Sequence, residues 1–198
     1  MIERKVKCPD TLWLIRDIVY SFPGGKNVPI GNLTSQWFGN YYLTALDRLV
    51  KERLHVADYV RYCDDFLLFG NDKSQLNEFS KIIVEFLEQR LQLTLSKCDL
   101  FPVSRGVDFL GYRHFPEKIL LRKSTAKRIA RRLRELPERL DKGLIEPERA
   151  RSVLASAAGW AKWANTYNFR RAVHLDELVE LVNVRCREQR AAEEAAAV

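Results

Sequence analysis

The chain has 198 residues, 46% of them hydrophobic, with 33 basic against 26 acidic side chains and a net charge of +7. That is enough apolar material for one compact domain or two small ones, and the basic excess favours a polyanionic partner. No signal peptide and no apolar run of membrane-spanning length is visible, and the four cysteines Cys8, Cys63, Cys98 and Cys186 show no C-x-x-C spacing. A spanning protein, a zinc site and a disulfide framework are therefore not expected, and the sequence reads as a reduced, cytoplasmic protein with no membrane partner.

In chain order, a helix is predicted over residues 13–22. A loop rich in glycine and proline follows, Gly24-Gly25-Lys26-Asn27-Val28-Pro29-Ile30-Gly31, and Asn32 or Thr34 is positioned to cap the next helix. Trp37, Phe38, Tyr41, Tyr42, Ala45, Leu46, Leu49, Val50 and Leu54 give that helix one broad apolar face. A Gly-rich loop opening a helix offers backbone N–H groups to a nucleotide or template backbone, although a plain loop-to-helix junction has the same composition.

Residues 56–62 and 66–69 are short, rich in β-branched and aromatic side chains, and read as two strands of a hairpin. Between them stands Tyr62-Cys63-Asp64-Asp65, with Cys63 read as a small side chain on a strand. Consecutive strand residues point to opposite faces, but at a tight turn two carboxylates can approach one point. Hard divalent cations take a few carboxylate oxygens and keep positions for phosphate, so Asp64 and Asp65 are candidate Mg²⁺ ligands, with Mn²⁺ as an alternative. The same pair also fits ordinary turn chemistry, in which both side chains cap backbone amides.

Asp72 or Ser74 opens a helix carrying Leu76, Phe79, Ile82, Ile83, Phe86 and Leu87, and strands are predicted at 93–97, around Phe109 and at 119–120. A boundary falls within residues 117–124. Beyond it Ser124 caps a helix with Lys127, Arg128, Arg131 and Arg132 on one face and Ile129, Leu133, Leu136 and Leu140 on the other. Such a helix suits a phosphate backbone, and it equally describes a solvated charged helix. Two more helices are predicted over 146–164 and 175–190, with Trp160 and Trp163 anchoring their packing and residues 191–198 fraying. His55, His114 and His174 are far apart and read as structural or exposed.

Taken together, these segments resemble a reverse transcriptase. Ile30-Gly31-Asn32-Leu33-Thr34-Ser35-Gln36, a helix, and Tyr62-Cys63-Asp64-Asp65 look like the family's fourth and fifth conserved blocks. Leu93-Thr94-Leu95-Ser96-Lys97 looks like the sixth, and Val107-Asp108-Phe109-Leu110-Gly111-Tyr112 like the seventh. Ile30-Gly31 and Ser35-Gln36 stand where group II intron enzymes carry Gln-Gly and Ser-Pro, a substitution similar to the enzymes of diversity-generating retroelements.

The resemblance implies an α+β fold: a partial palm of antiparallel sheet with helices on one face over residues 1–121, then a helical thumb over 122–198. It implies an RNA template, a DNA or RNA primer and dNTPs as partners, with a small basic accessory protein if the subgroup holds. Asp64 and Asp65 would bind metal, with Lys97 as general acid toward the departing pyrophosphate. Gly31, Asn32, Ser35, Gln36 and Tyr62 would line the nucleotide and templating base. Leu110, Gly111 and Tyr112 would shape the primer grip, and Lys127, Arg128, Arg131 and Arg132 would follow the nucleic-acid backbone. The family's remaining metal-binding Asp, on an earlier strand, has no counterpart before residue 13, so the chain alone is expected not to polymerise DNA. A half of a split enzyme, a non-catalytic nucleic-acid-binding remnant and an interaction module are the other readings.

Overall fold

The computed structural model describes residues 2–21 and 31–196. It divides into two compact units, Met1–Leu100 and Phe101–Val198.

In the first unit, α1 spans Pro9–Tyr20, starting earlier than the predicted residue 13. Pro9 accounts for this, because its fixed φ suits a first helical position where no N–H partner is needed. No residue of α1 is buried, and Trp13, Leu14 and Tyr20 are exposed. The predicted loop at 22–30 lies outside the described residues. Asn32, in extended conformation, enters α2 (Leu33–Arg48) without a side-chain cap bond, and the helix widens into a π-helical segment at Leu49–Arg53.

Strands β1 (Tyr59–Tyr62) and β2 (Asp65–Leu68) form a two-stranded antiparallel hairpin. Asp72 caps α3 (Lys73–Leu91), accepting from the amides of Ser74 at 2.7 Å and Gln75 at 3.2 Å. Leu46, Leu49 and Val50 pack with Ile83, Leu87 and Leu91, and the hairpin adds Tyr59, Phe66 and Leu68. An isolated two-stranded hairpin is marginal in water, whereas each fully buried leucine-sized side chain contributes roughly 2 kcal/mol. The inner face of the hairpin, more than its ladder, therefore keeps it in place.

The strand predicted at 93–97 is absent: the chain leaves α3 through a left-handed Gln92 and runs without regular structure, with only Leu95 packed on the core. A strand needs a ladder partner for its backbone groups, and no described strand pairs with this segment.

In the second unit, β3 (Val107–Phe109), β4 (Tyr112–His114) and β5 (Ile119–Leu121) make a three-stranded antiparallel sheet in sequential order. The single palm sheet expected from sequence is thus two separate sheets. Five helices follow: α4 (Lys123–Arg134), α5 (Leu136–Asp141), α6 (Pro147–Lys162), α7 (Tyr167–Ala172) and α8 (Leu175–Ala196). The predicted basic helix is broken in two because Pro137 sits in the first turn of α5, where it cannot donate to the preceding turn. Arg122, not Ser124, occupies the cap of α4, and α8 carries on through Ala196 rather than ending at residue 190.

Leu133, Leu136, Ala150, Leu154, Ala157, Leu175, Leu178, Val182 and Cys186 form this unit's core. Trp160 packs on Tyr112, with ring centroids 5.4 Å apart, but Trp163 is 67% exposed and anchors nothing. The cysteines are free, three of them exposed and Cys186 buried. No helix among the described residues is long and apolar enough to cross a membrane.

Candidate functional site: the acidic hairpin turn

The β1–β2 register pairs Tyr62 with Asp65, leaving Cys63 and Asp64 as a two-residue turn. Cys63 therefore belongs to the turn and not to a strand, and its φ of +53 is the left-handed value that turns of this length require. Alternation sorts the rest. Tyr59 and Arg61 face inward, while Val60 and Tyr62 face solvent. Tyr62 and Asp65 are directly opposed across the ladder and both exposed, as is Asp64 in the turn.

Inside the hairpin lies a polar network that the sequence reading missed. The Arg61 guanidinium donates from Nε and Nη2 to both oxygens of Asp47, at 2.7 and 2.6 Å. Its Nη1 donates to Asn40 Oδ1 at 3.0 Å and to the carbonyl of Cys63 at 2.8 Å. The Tyr59 hydroxyl donates to Asp47 Oδ1 at 2.8 Å. Side-chain exposure is 13% for Arg61 and 30% for Asp47.

Burial pushes the Asp47 carboxyl up, but hydrogen bonds from Arg61 and Tyr59 together with the Arg61 charge outweigh it and hold the group below its ordinary value. Burial and then the Asp47 hydrogen bond push the Tyr59 hydroxyl well above its ordinary value. Sequence carried only a partial signal here: one arginine inside an apolar strand, and Asp47 set among apolar residues on the half-buried face of its helix.

The other candidate residues are dispersed. Gly31, Asn32 and Gln36 are exposed at the start of α2, with φ of +100 at Gly31. Ser35 is half-buried, and its hydroxyl has no hydrogen-bond partner among the described residues. Lys97 is exposed and ion-paired with Asp99 at 2.8 Å.

In the second unit, Leu110 and Gly111 form the β3–β4 turn with φ of +51 and +83. Tyr112 is engaged in packing, since its hydroxyl donates to the carbonyl of Trp160 at 3.1 Å. Lys127, Arg128, Arg131 and Arg132 are exposed on α4 and have no ion pair among the described residues. Arg128 and Arg132 also line a cleft of about 220 Å³ against Ser156 and Trp160 of α6.

Among the described residues no three His, Cys, Asp or Glu side chains come together as a metal cage. Two solvent-open carboxylates nevertheless fit a hard divalent ion such as Mg²⁺, which commonly takes one or two carboxylates and completes its shell with water and substrate phosphate.

Residues 4–114 match the family described as reverse transcriptase (RNA-dependent DNA polymerase). That segment is more than half of the chain and includes α1, α2, the acidic hairpin, α3 and the β3–β4 turn. The chain belongs to the reverse transcriptase family. Such enzymes act on a nucleic-acid template and primer with dNTP substrates and use divalent metal ions. Comparison with curated protein sequences returned no match.

Proposed function

We propose that this chain is the palm and thumb portion of an RNA-directed DNA polymerase, with a functional division near 121/122, and that Asp64 and Asp65 are its metal-binding carboxylates. The observation that carries the reading is the acidic turn itself. Within the family-matched segment, Asp64 and Asp65 stand exposed on a hairpin anchored to the unit's core, and neither is in a salt bridge among the described residues. Bound Mg²⁺ or Mn²⁺ supplies activation of a primer hydroxyl and charge neutralisation at the leaving pyrophosphate. The chain's own part is to present carboxylate oxygens at a fixed turn, with Tyr62 beside them.

Gly31, Asn32, Ser35 and Gln36 are assigned to the nucleotide and templating base, and Lys97 to proton donation toward pyrophosphate. Leu110 and Gly111 with Tyr112 contact the primer, and Lys127, Arg128, Arg131 and Arg132 bind phosphates. Cations on one exposed helix, without an ion pair among the described residues, support that last role, because neutralising phosphates releases counterions. Ile30-Gly31 and Ser35-Gln36 favour the diversity-generating retroelement type, with a structured template RNA, a basic accessory protein and a cytoplasmic setting.

By itself the chain is expected not to extend a primer, because two carboxylates leave the metal ions short of protein ligands. Adding a segment that carries the family's earlier Asp-bearing strand should restore RNA-templated synthesis, and Asp64→Asn with Asp65→Asn should abolish the restored activity. Retained activity in that double variant would remove the assignment. A non-catalytic nucleic-acid-binding protein is the second reading, favoured by the cation row on α4, and it predicts template–primer binding with no rescue.

A further inference from the structure

We propose that Arg61 is a positioning residue for the acidic turn, clamping the peptide that leads into Asp64 onto α2. The inference rests on the metal-binding reading of Asp64 and Asp65 for its functional meaning, but its geometry stands apart from it. Arginine carries five N–H donors in a planar fork, and four acceptors are met here. Nε and Nη2 take both oxygens of Asp47, which fixes the plane of the guanidinium and neutralises its charge.

With the plane fixed, Nη1 reaches the carbonyl of Cys63, the C=O of the peptide bond to Asp64, while also touching Asn40. Joining sheet to helix needs only the Asp47 contacts of Tyr59 and Arg61, so the Nη1 arm is additional and ends on the turn. Because Asp47 cancels the guanidinium charge, the brace adds no uncompensated cation beside carboxylates assigned to a divalent ion. Lysine has three donors on a single atom and cannot span Asp47 and the turn carbonyl in one plane.

The test uses backbone ¹⁵N relaxation on the metal-free chain, comparing Arg61→Lys and Tyr59→Phe with the unaltered sequence. Order parameters at Cys63, Asp64 and Asp65 should fall from the rigid range of about 0.85 to below about 0.6 in Arg61→Lys. Those at Ile83 and Leu87 should hold, and Tyr59→Phe should leave the turn unchanged. Should Arg61→Lys not fold, Asn40→Ala removes one acceptor from the exposed side of α2 and should loosen the same three residues by a smaller amount. An unchanged turn in Arg61→Lys (or in Asn40→Ala, should Arg61→Lys not fold), or an equal loss at Ile83 and Leu87, overturns the proposal.

Mn²⁺ added to the same samples reads the metal assignment separately. Paramagnetic broadening at Asp64 and Asp65 should need about tenfold more Mn²⁺ in Arg61→Lys, a difference worth one factor of ten in the binding constant. Loss of turn order in Arg61→Lys without any Mn²⁺ broadening in the unaltered chain would sustain the clamp and remove the metal reading instead.

Discussion

Two of the hairpin turns among the described residues solve one backbone problem in different ways. Cys63-Asp64 and Leu110-Gly111 are each two residues long, and each opens on a non-glycine residue with φ near +50. Such a residue costs roughly 1–2 kcal/mol, so each turn needs a brace. At Gly111 the brace is backbone and aromatic: its carbonyl accepts from the amide of Arg122 at 3.0 Å, and its Cα faces the Trp160 ring. At Cys63 it is a side chain, the Arg61 guanidinium at 2.8 Å, and a hydrogen bond to a charged donor contributes roughly 1.5–3 kcal/mol. Either brace is sufficient to offset the strain. The first is steric and intolerant of added atoms, while the second is electrostatic and open to substitution and to pH.

Breaking the steric brace should have the largest effect. A Cβ at position 111 would meet the Trp160 ring at 2.7 Å, on a backbone with φ of +83. Overpacking and left-handed strain together should make Gly111→Ala cost about 3 kcal/mol in urea unfolding of the second unit. In a Trp160→Ala background the same change should cost only about 1–2 kcal/mol, the backbone part alone. Equal costs in both backgrounds would show that the ring is not the obstacle.

What sequence disclosed follows the same line. The Asp72 cap, the stripe of α3 and the acidic turn were legible because each depends on residues close together in the chain. The Arg61 clamp was not, because it joins a strand to Asn40 and Asp47, and neither helix nor strand periodicity says which polar residues will meet. Pro137 was a visible breaker, but the stripe through Leu133, Leu136 and Leu140 continues across it and hid the break. Residues 93–97 have strand composition, yet pairing is decided by a neighbour that composition does not reveal. Palm and thumb assignments came from resemblance, and the contact division at Leu100 and Phe101 places the β3–β5 sheet with the helices that follow it.

The electrostatic brace should titrate from both sides. Asp47 has a folded-state pKa below its ordinary 3.8, so its contribution is complete above that value and is lost as pH falls through the lowered one. Tyr59 is shifted upward from 10.0, so its contribution is complete below that pH and declines above it, once the unfolded hydroxyl ionises and the folded one does not. The stability of the first unit should carry both limbs and no step between them from this network. Asp47→Asn should lower stability by about 2 kcal/mol at neutral pH, since it leaves Arg61 half-buried without its counter-charge, and should remove the acid limb contributed by residue 47. Circular dichroism across the pH range, on both chains, reads this directly. An acid limb of unchanged size in Asp47→Asn would place its origin elsewhere.

The smallest expected effect is at Leu110, and there the opposing terms decide the sign. Leucine at φ of +51 is strained, and asparagine tolerates that conformation better, so Leu110→Asn should recover on the order of 1 kcal/mol. Leu110 is 42% exposed, so the change also gives up about half of a leucine's burial, roughly 1 kcal/mol in the other direction. The two nearly cancel, and urea unfolding should move by less than about 0.5 kcal/mol. If template–primer affinity nevertheless falls several-fold, as a primer-contacting role for this turn requires, then the leucine is kept for what it touches beyond the chain. The steric brace at Gly111 would then hold an exposed, strained side chain ready for a partner, just as the Arg61 brace holds two exposed carboxylates. Unchanged affinity would leave Leu110 as a tolerated turn residue and confine the proposed functional role to the Cys63-Asp64 turn.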